Sequence, residues 1–201
     1  IASAQNNLGV TLTDQSEASK AIEHLQAAVE LDPGSAEAHF NLGNAYLASG
    51  DRHNAASEYQ LAFELDPYQT EARTIWAGLA LGEGQIAQAE EAWTIVISAS
   101  PNHTIANRGL GALAMLEQKP EIALQHLEIA RSSNPEDPIT RFYLGLALVA
   151  LGKPAEAKSE LEFAVALSDD PVLINLAVNN LADIRKQYFS GAESRKEMWT
   201  H

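Results

Sequence analysis

Apolar and polar positions along this chain fall into a block of thirty-four residues that returns five times. The clearest copy is Ala36–Gln69, AEAHFNLGNAYLASGDRHNAASEYQLAFELDPYQ. Pro33, Pro67, Pro101 and Pro135 keep the same phase, and so do Ala21, Ala55, Ala89, Ala123 and Ala157. A small residue recurs at Gly9, Gly43, Ala77, Gly111 and Gly145, each preceded by a large apolar one: Leu8, Leu42, Trp76, Leu110, Leu144. A second large site runs Leu25, Tyr59, Trp93, Leu127, Leu161, and a second small one Ala28, Ala62, Val96, Ala130, Ala164. A unit of this length cannot bury its apolar face alone, so copies must stack to make a core.

Inside each block the apolar positions keep helical spacing on both sides of a turn. The blocks are 2–35, 36–69, 70–103, 104–137 and 138–171. The first predicts helices near 4–13 and 19–31, the former poor in regular apolar spacing. Asp32-Pro33-Gly34 stops the second helix, because proline disfavours helix in the residue before it. The second block predicts helices near 36–48 and 53–65 with Gly50-Asp51 between them. There Gly43 is expected to meet Ala55 at the helix crossing, with Tyr46 and Tyr59 beside it. Gly82 and Gly84 mark the third turn, and Trp76 and Trp93 are read as core. Pro120 and Pro154 are read as first helical residues, where a missing N–H costs nothing. After the fifth block the phase slips. Residues 172–189 predict one more amphipathic helix, with Leu173, Leu176, Val178, Leu181, Ile184 and Tyr188 on its apolar side. It is read as a cap with a polar outer side. Gly191 is expected to break it, and 192–201 to form a short helix or frayed tail.

The recurring Leu-Gly, the aromatic Tyr46, then Ala55, Tyr59, Ala62 and Pro67 resemble the tetratricopeptide repeat. The resemblance covers Ala2 to Pro171 without insertion. It departs at the family's early tryptophan, replaced by Gln5, His39, Arg73, Asn107 and Arg141. The aromatic after Leu-Gly is also missing elsewhere, at Leu12, Ala80, Ala114 and Leu148. The resemblance implies an all-α fold, a right-handed α-solenoid of tandem helix-turn-helix repeats forming one array over 1–201. It implies that the first helix of each pair lines a concave groove. The implied lining includes Asn6, Phe40, Asn41, Asn44, Ile75, Arg108, Met115, Phe142, Tyr143 and Leu146. Asn41 and Asn44 would bond an extended peptide backbone, since an amide both donates and accepts. Arg108 would take an acidic group, and the apolar residues would seat side chains of a peptide helix or strand. The lysine-and-asparagine carboxylate clamp of some family members has no match: those slots hold Asn6, Val10 and Asn41. The implied function is a non-enzymatic protein-interaction module, an adaptor or assembly scaffold. Two alternatives stand beside it. One is a self-assembling scaffold whose groove is covered by a second copy, making a homo-oligomer. The other is the recognition arm of a larger enzyme or of a secretion or envelope assembly factor.

Charge and chemistry narrow the partners. The 201 residues are 46% hydrophobic and 20% charged, a folded composition. Thirteen basic residues face 27 acidic ones, a net charge of -14. Residues 172–201 carry four basic against three acidic residues, so the repeats hold about -15. Nucleic acid requires a basic stripe and is a poor partner, whereas a neutral or basic protein or peptide suits the acidic body. There is no cysteine, which excludes disulfides, thiol catalysis and thiolate metal sites. No run of eighteen apolar residues is present, so no membrane span is expected, and the compartment stays open between cytoplasm and periplasm. Gly109-Leu110-Gly111 with Ala114 mimics a dinucleotide fingerprint, but inside a helix that motif has no phosphate turn. The six histidines show no ligand spacing, so no metal or other cofactor is expected. Asn102-His103-Thr104 is a glycosylation sequon in a turn. The chain starts at Ile1 and is read as a processed or excised form, with any leader, anchor or further domain lying outside it.

Overall fold

The structure, a computed structural model, describes residues 1–189. The break expected at Gly191 and the tail over 192–201 lie outside the described residues. Among those described, every regular element is helical. They are α1 (Ala2–Asp14), α2 (Ala18–Leu31), α3 (Ala36–Ser49), α4 (Arg52–Leu65), α5 (Thr70–Gly82), α6 (Ile86–Ala99), α7 (Thr104–Leu116), α8 (Pro120–Ser133), α9 (Pro138–Ala150), α10 (Pro154–Leu167) and α11 (Pro171–Ile184). A π-helical turn, Arg185–Phe189, follows α11. The helices gather into two compact units, Ile1–Ser98 and Ala99–His201.

Local chemistry starts and stops the helices. Ser35 and Asp51 cap α3 and α4, their side-chain oxygens accepting from Ala38 N at 3.2 Å and Asn54 N at 3.1 Å. Asp137 and Asp170 do the same for α9 and α11. Such caps satisfy N–H groups that have no partner within the helix. Pro120, Pro138, Pro154 and Pro171 each occupy the first helical position. Gly50 ends α3 at φ 86°, a left-handed conformation that glycine adopts without strain. Arg185, by contrast, keeps helical dihedrals, and with no glycine or proline before Gly191 the chain coils on in the wider π form.

In the first unit α1 packs on α2, α2 on α3, α3 on α4 and α4 on α5. Trp93 Nε1 of α6 donates to the Thr74 carbonyl of α5 at 3.3 Å and ties those two together. In the second unit α7 to α11 pack in the same consecutive order. The five recurring alanines, Ala21, Ala55, Ala89, Ala123 and Ala157, are all 0% exposed. The two recurring size classes meet across four of the five hairpins, sixteen residues apart. A Cβ on Gly9 would lie 2.4 Å from Leu25 Cγ, and on Gly111 or Gly145 2.5 Å from the Cγ of Leu127 or Leu161. Against Gly43 the nearest atoms are those of the Tyr59 ring, because the large side chain from the second helix lies over the glycine. These contacts are below any real Cβ separation, so glycine there is a packing requirement.

A polar pair also spans four of the five hairpins, nineteen residues apart. His24 Nδ1 donates to Gln5 Oε1 at 2.6 Å, and His39 Nδ1 meets Glu58 Oε2 at 2.6 Å. His126 Nδ1 donates to Asn107 Oδ1 at 3.1 Å, and Arg141 Nη1 to Glu160 Oε2 at 2.7 Å. Three of these first-helix residues reach back to a proline carbonyl: His39 to Pro33 (3.2 Å), Asn107 to Pro101 (2.8 Å), Arg141 to Pro135 (3.0 Å). The slot that the family fills with tryptophan is a polar rung here.

The closing helix differs from the expected cap. Leu173, Ala177 and Ile184 turn inward onto Phe142, Leu148 and Leu161, with Leu181 beside them. Val172, Leu176, Val178 and Tyr188 are exposed, so the outer side mixes these with Asn175, Asn179 and Asp183 instead of being wholly polar. The inward stripe runs through Leu173, Ala177, Leu181 and Ile184, and Leu176 and Val178 flank it on either side and face outward.

Candidate functional site

The first-helix side of the first unit carries a chain of amides. Asn41 Nδ2 donates to Asn6 Oδ1 at 3.0 Å, and Asn6 Nδ2 donates to Glu37 Oε1 at 3.2 Å. These contacts run from α1 to α3, one repeat to the next. Asn44 stands one turn along α3, and its Oδ1 accepts from the Tyr59 hydroxyl at 2.7 Å. Burial pushes the Tyr59 phenol far above its ordinary range, so it remains a donor to Asn44 at any ordinary pH. The amide is thereby oriented with its NH2 unused by any described residue. Phe40 packs on Tyr59 with ring centroids 5.8 Å apart, and Ile75 joins the same cluster. Asn6 itself is buried, so its role is to orient Asn41.

The corresponding side of the second unit is occupied differently. Arg108, expected to be available to an acidic group, donates to Asp137 Oδ2 at 2.7 Å. Asp137 also accepts from the Thr140 hydroxyl and from Ile139 N at 3.3 Å. Burial alone would raise the Asp137 carboxyl, but the Thr140 hydrogen bond, Arg108 and Ile139 outweigh it and hold the group below its ordinary range. Arg108 is thus committed within the protein. Phe142, expected as a groove anchor, is 7% exposed and lies in the core with Leu173 and Ala177. The closing helix covers it, and truncating it would hollow that core instead of clearing a surface. Tyr143, edge-on to Phe142 at 5.6 Å, Leu146 and Met115 remain half-buried. They form a smaller apolar surface than the sequence implied. Glu160, which grips Arg141 and Arg131, was also unforeseen. Its spacing of nineteen from Arg141 was the available signal.

His126 is held below the ordinary histidine range by burial, which fits its neutral donor role to Asn107. Among the described residues no group of three or more His, Asp or Glu side chains is placed to hold a metal. No helix among them is long and apolar enough to cross a membrane.

Three family models match the chain: a TPR repeat model over residues 9–50, and two described as tetratricopeptide repeat over 36–68 and 117–171. No curated protein matches it by sequence. Among solved structures it is similar to PilF of Pseudomonas aeruginosa, at 18% identity and a TM-score of 0.73, covering 98% of this chain and 96% of that one. It is similar to MamA of Desulfovibrio magneticus RS-1, at 19% identity and a TM-score of 0.71, covering 84% and 97%. It is also similar to YrrB, described as a TPR protein with an unusual peptide-binding site, at 18% identity and a TM-score of 0.67, covering 87% and 90%. At these identities the likeness establishes the fold, an all-α solenoid class of tandem helix pairs.

Proposed function

This chain belongs to the tetratricopeptide-repeat family, and we propose from that premise that it is a non-catalytic interaction module binding an extended segment of a partner protein. The segment lies on the first-helix side of the first unit. The observation that carries the reading is the oriented amide of Asn44, fixed by the Tyr59 hydroxyl with its NH2 free of described partners. Asn41, anchored through Asn6, keeps its own carbonyl oxygen as an acceptor. One donor and one acceptor on successive turns match the alternating C=O and N–H of an extended backbone. Because both amides are already held, binding orders little on the protein side. Phe40 and Ile75 supply apolar contacts beside them. The acidic repeats favour a partner that is neutral or basic. The peptide-binding site of YrrB supports the reading by likeness of fold. In the second unit, Met115, Tyr143 and Leu146 offer a separate, apolar surface.

A displayed random-peptide library selected on the wild-type chain tests this. Enriched peptides should bind the Asn41→Ala, Asn44→Ala double variant at least about tenfold more weakly, at a temperature where circular dichroism shows the variant still folded. Peptides that bind both chains equally, or no enrichment at all, would remove the amides as the binding surface.

A further inference from the structure

Repeat three breaks the polar ladder. Its rung residue is Arg73, but the position nineteen residues on is Ala92, where the sister repeats have His24, Glu58, His126 and Glu160. The rung to the proline carbonyl is missing as well. Arg73 Nε is a buried donor without a hydrogen-bond partner. Among the described residues the guanidinium makes no ion pair, and its one specific contact is with the Phe63 ring, 4.4 Å from the centroid. A buried guanidinium N–H left unpaired is costly, so a native protein retains one where something else pairs it.

The surroundings show where. Arg73 lines a cleft of about 500 Å³ on the second-helix side of the first unit, away from the amide chain. Phe63 of α4, Trp76 of α5 and Ile95 of α6 form its apolar wall, with Phe63 and Trp76 edge to face at 5.5 Å. That volume fits a group the size of one or two residues. Glu83 and Glu91 also line the cleft. They oppose polyanions, so an anion that enters has to set a single charge against Arg73 itself. A guanidinium is a planar fork of donors, and a carboxylate is the planar partner it grips best.

We propose that this cleft is a binding site for one carboxylate attached to an aromatic or aliphatic body. The carboxylate pairs with Arg73, and the body lies against Trp76 and Ile95. The site is independent of the amide face proposed above, so either can fail without the other. The internal control is Arg141, the same residue at the same step of the period, which Glu160 and the Pro135 carbonyl satisfy.

The test uses the whole chain and N-acetylphenylalanine as probe, followed by the Arg73 Nε–H resonance and Trp76 fluorescence. N-acetylphenylalaninamide tests the body without the charge, and acetate the charge without the body. The acid should shift the Arg73 resonance, and the amide and acetate should each bind at least about tenfold more weakly. Ala92→Glu restores the rung from inside and should abolish binding while the fold persists; Arg73→Lys should weaken it. Extending the probe to acetyl-Ala-Ala-Ala-Phe separates the sources: tighter binding marks a polypeptide carboxy terminus, unchanged binding a free acid, and both support the site. Equal binding of acid and amide, no Arg73 shift at 20 mM acid, or full binding by the Ala92→Glu chain would overturn the proposal.

Discussion

Arg73 and Arg141 hold the same step of the thirty-four-residue period and both lie over a phenylalanine ring, at 4.4 Å and 4.9 Å. In every other respect they differ. Arg141 is bonded to Glu160 at 2.7 Å and to the Pro135 carbonyl at 3.0 Å, and Glu160 is held on its other oxygen by Arg131, also at 2.7 Å. Arg73 faces Ala92 and a cleft. One alanine in place of a carboxylate separates a structural arginine from one whose hydrogen-bonding capacity is unspent. The same side chain at the same position is therefore no guide to its role until its partner is identified.

Three experiments sharpen that contrast, beginning with the largest effect. Glu160→Ala strips the shared partner from two arginines in a mostly buried setting. It should lower stability by about 3 kcal/mol in urea unfolding, and a loss below about 1 kcal/mol would show the cluster to be solvent-screened. Next, Arg141→Ala and Arg73→Ala should part company. The first gives up an ion pair, a backbone bond and a ring contact, about 2 kcal/mol together. The second gives up only the ring contact, about 0.5–1 kcal/mol. Equal losses would mean that Arg73 has a hidden structural partner. The smallest effect concerns Asp137, another paired carboxylate of the second unit. Its folded value is depressed, so it contributes stability above the unfolded carboxylate pKa of about 4, lost as the pH falls below that. Asp137→Asn should flatten acid unfolding below about pH 4, and an unchanged acid profile would remove Asp137 from the account.

Much of this arrangement was legible in the residues alone. The four helices of the first two repeats begin and end within two residues of where the turns, prolines and apolar spacing put them, since each of those signals acts locally. The core alanines and the Gly–Leu contacts follow from one repeated pattern. What stayed hidden depends on the next element along. Phe142 becomes core only because Leu173 and Ala177, beyond the point where the phase slips, lie on it. Arg108 finds Asp137 twenty-nine residues away, in the turn that opens the next repeat. A period specifies the inside of a hairpin, whereas contacts between hairpins depend on residues that do not keep the period. The polar ladder is the intermediate case, readable once the spacing of nineteen is known.

The glycine-to-leucine contact at three of the helix crossings has one more consequence. It joins residues only sixteen apart, so a hairpin can close on itself before any distant part of the chain is found. Short closures cost little chain entropy and form early. Assembly of this protein is accordingly a matter of many quick local events, each of which a single methyl group added at Gly9, Gly111 or Gly145 would obstruct.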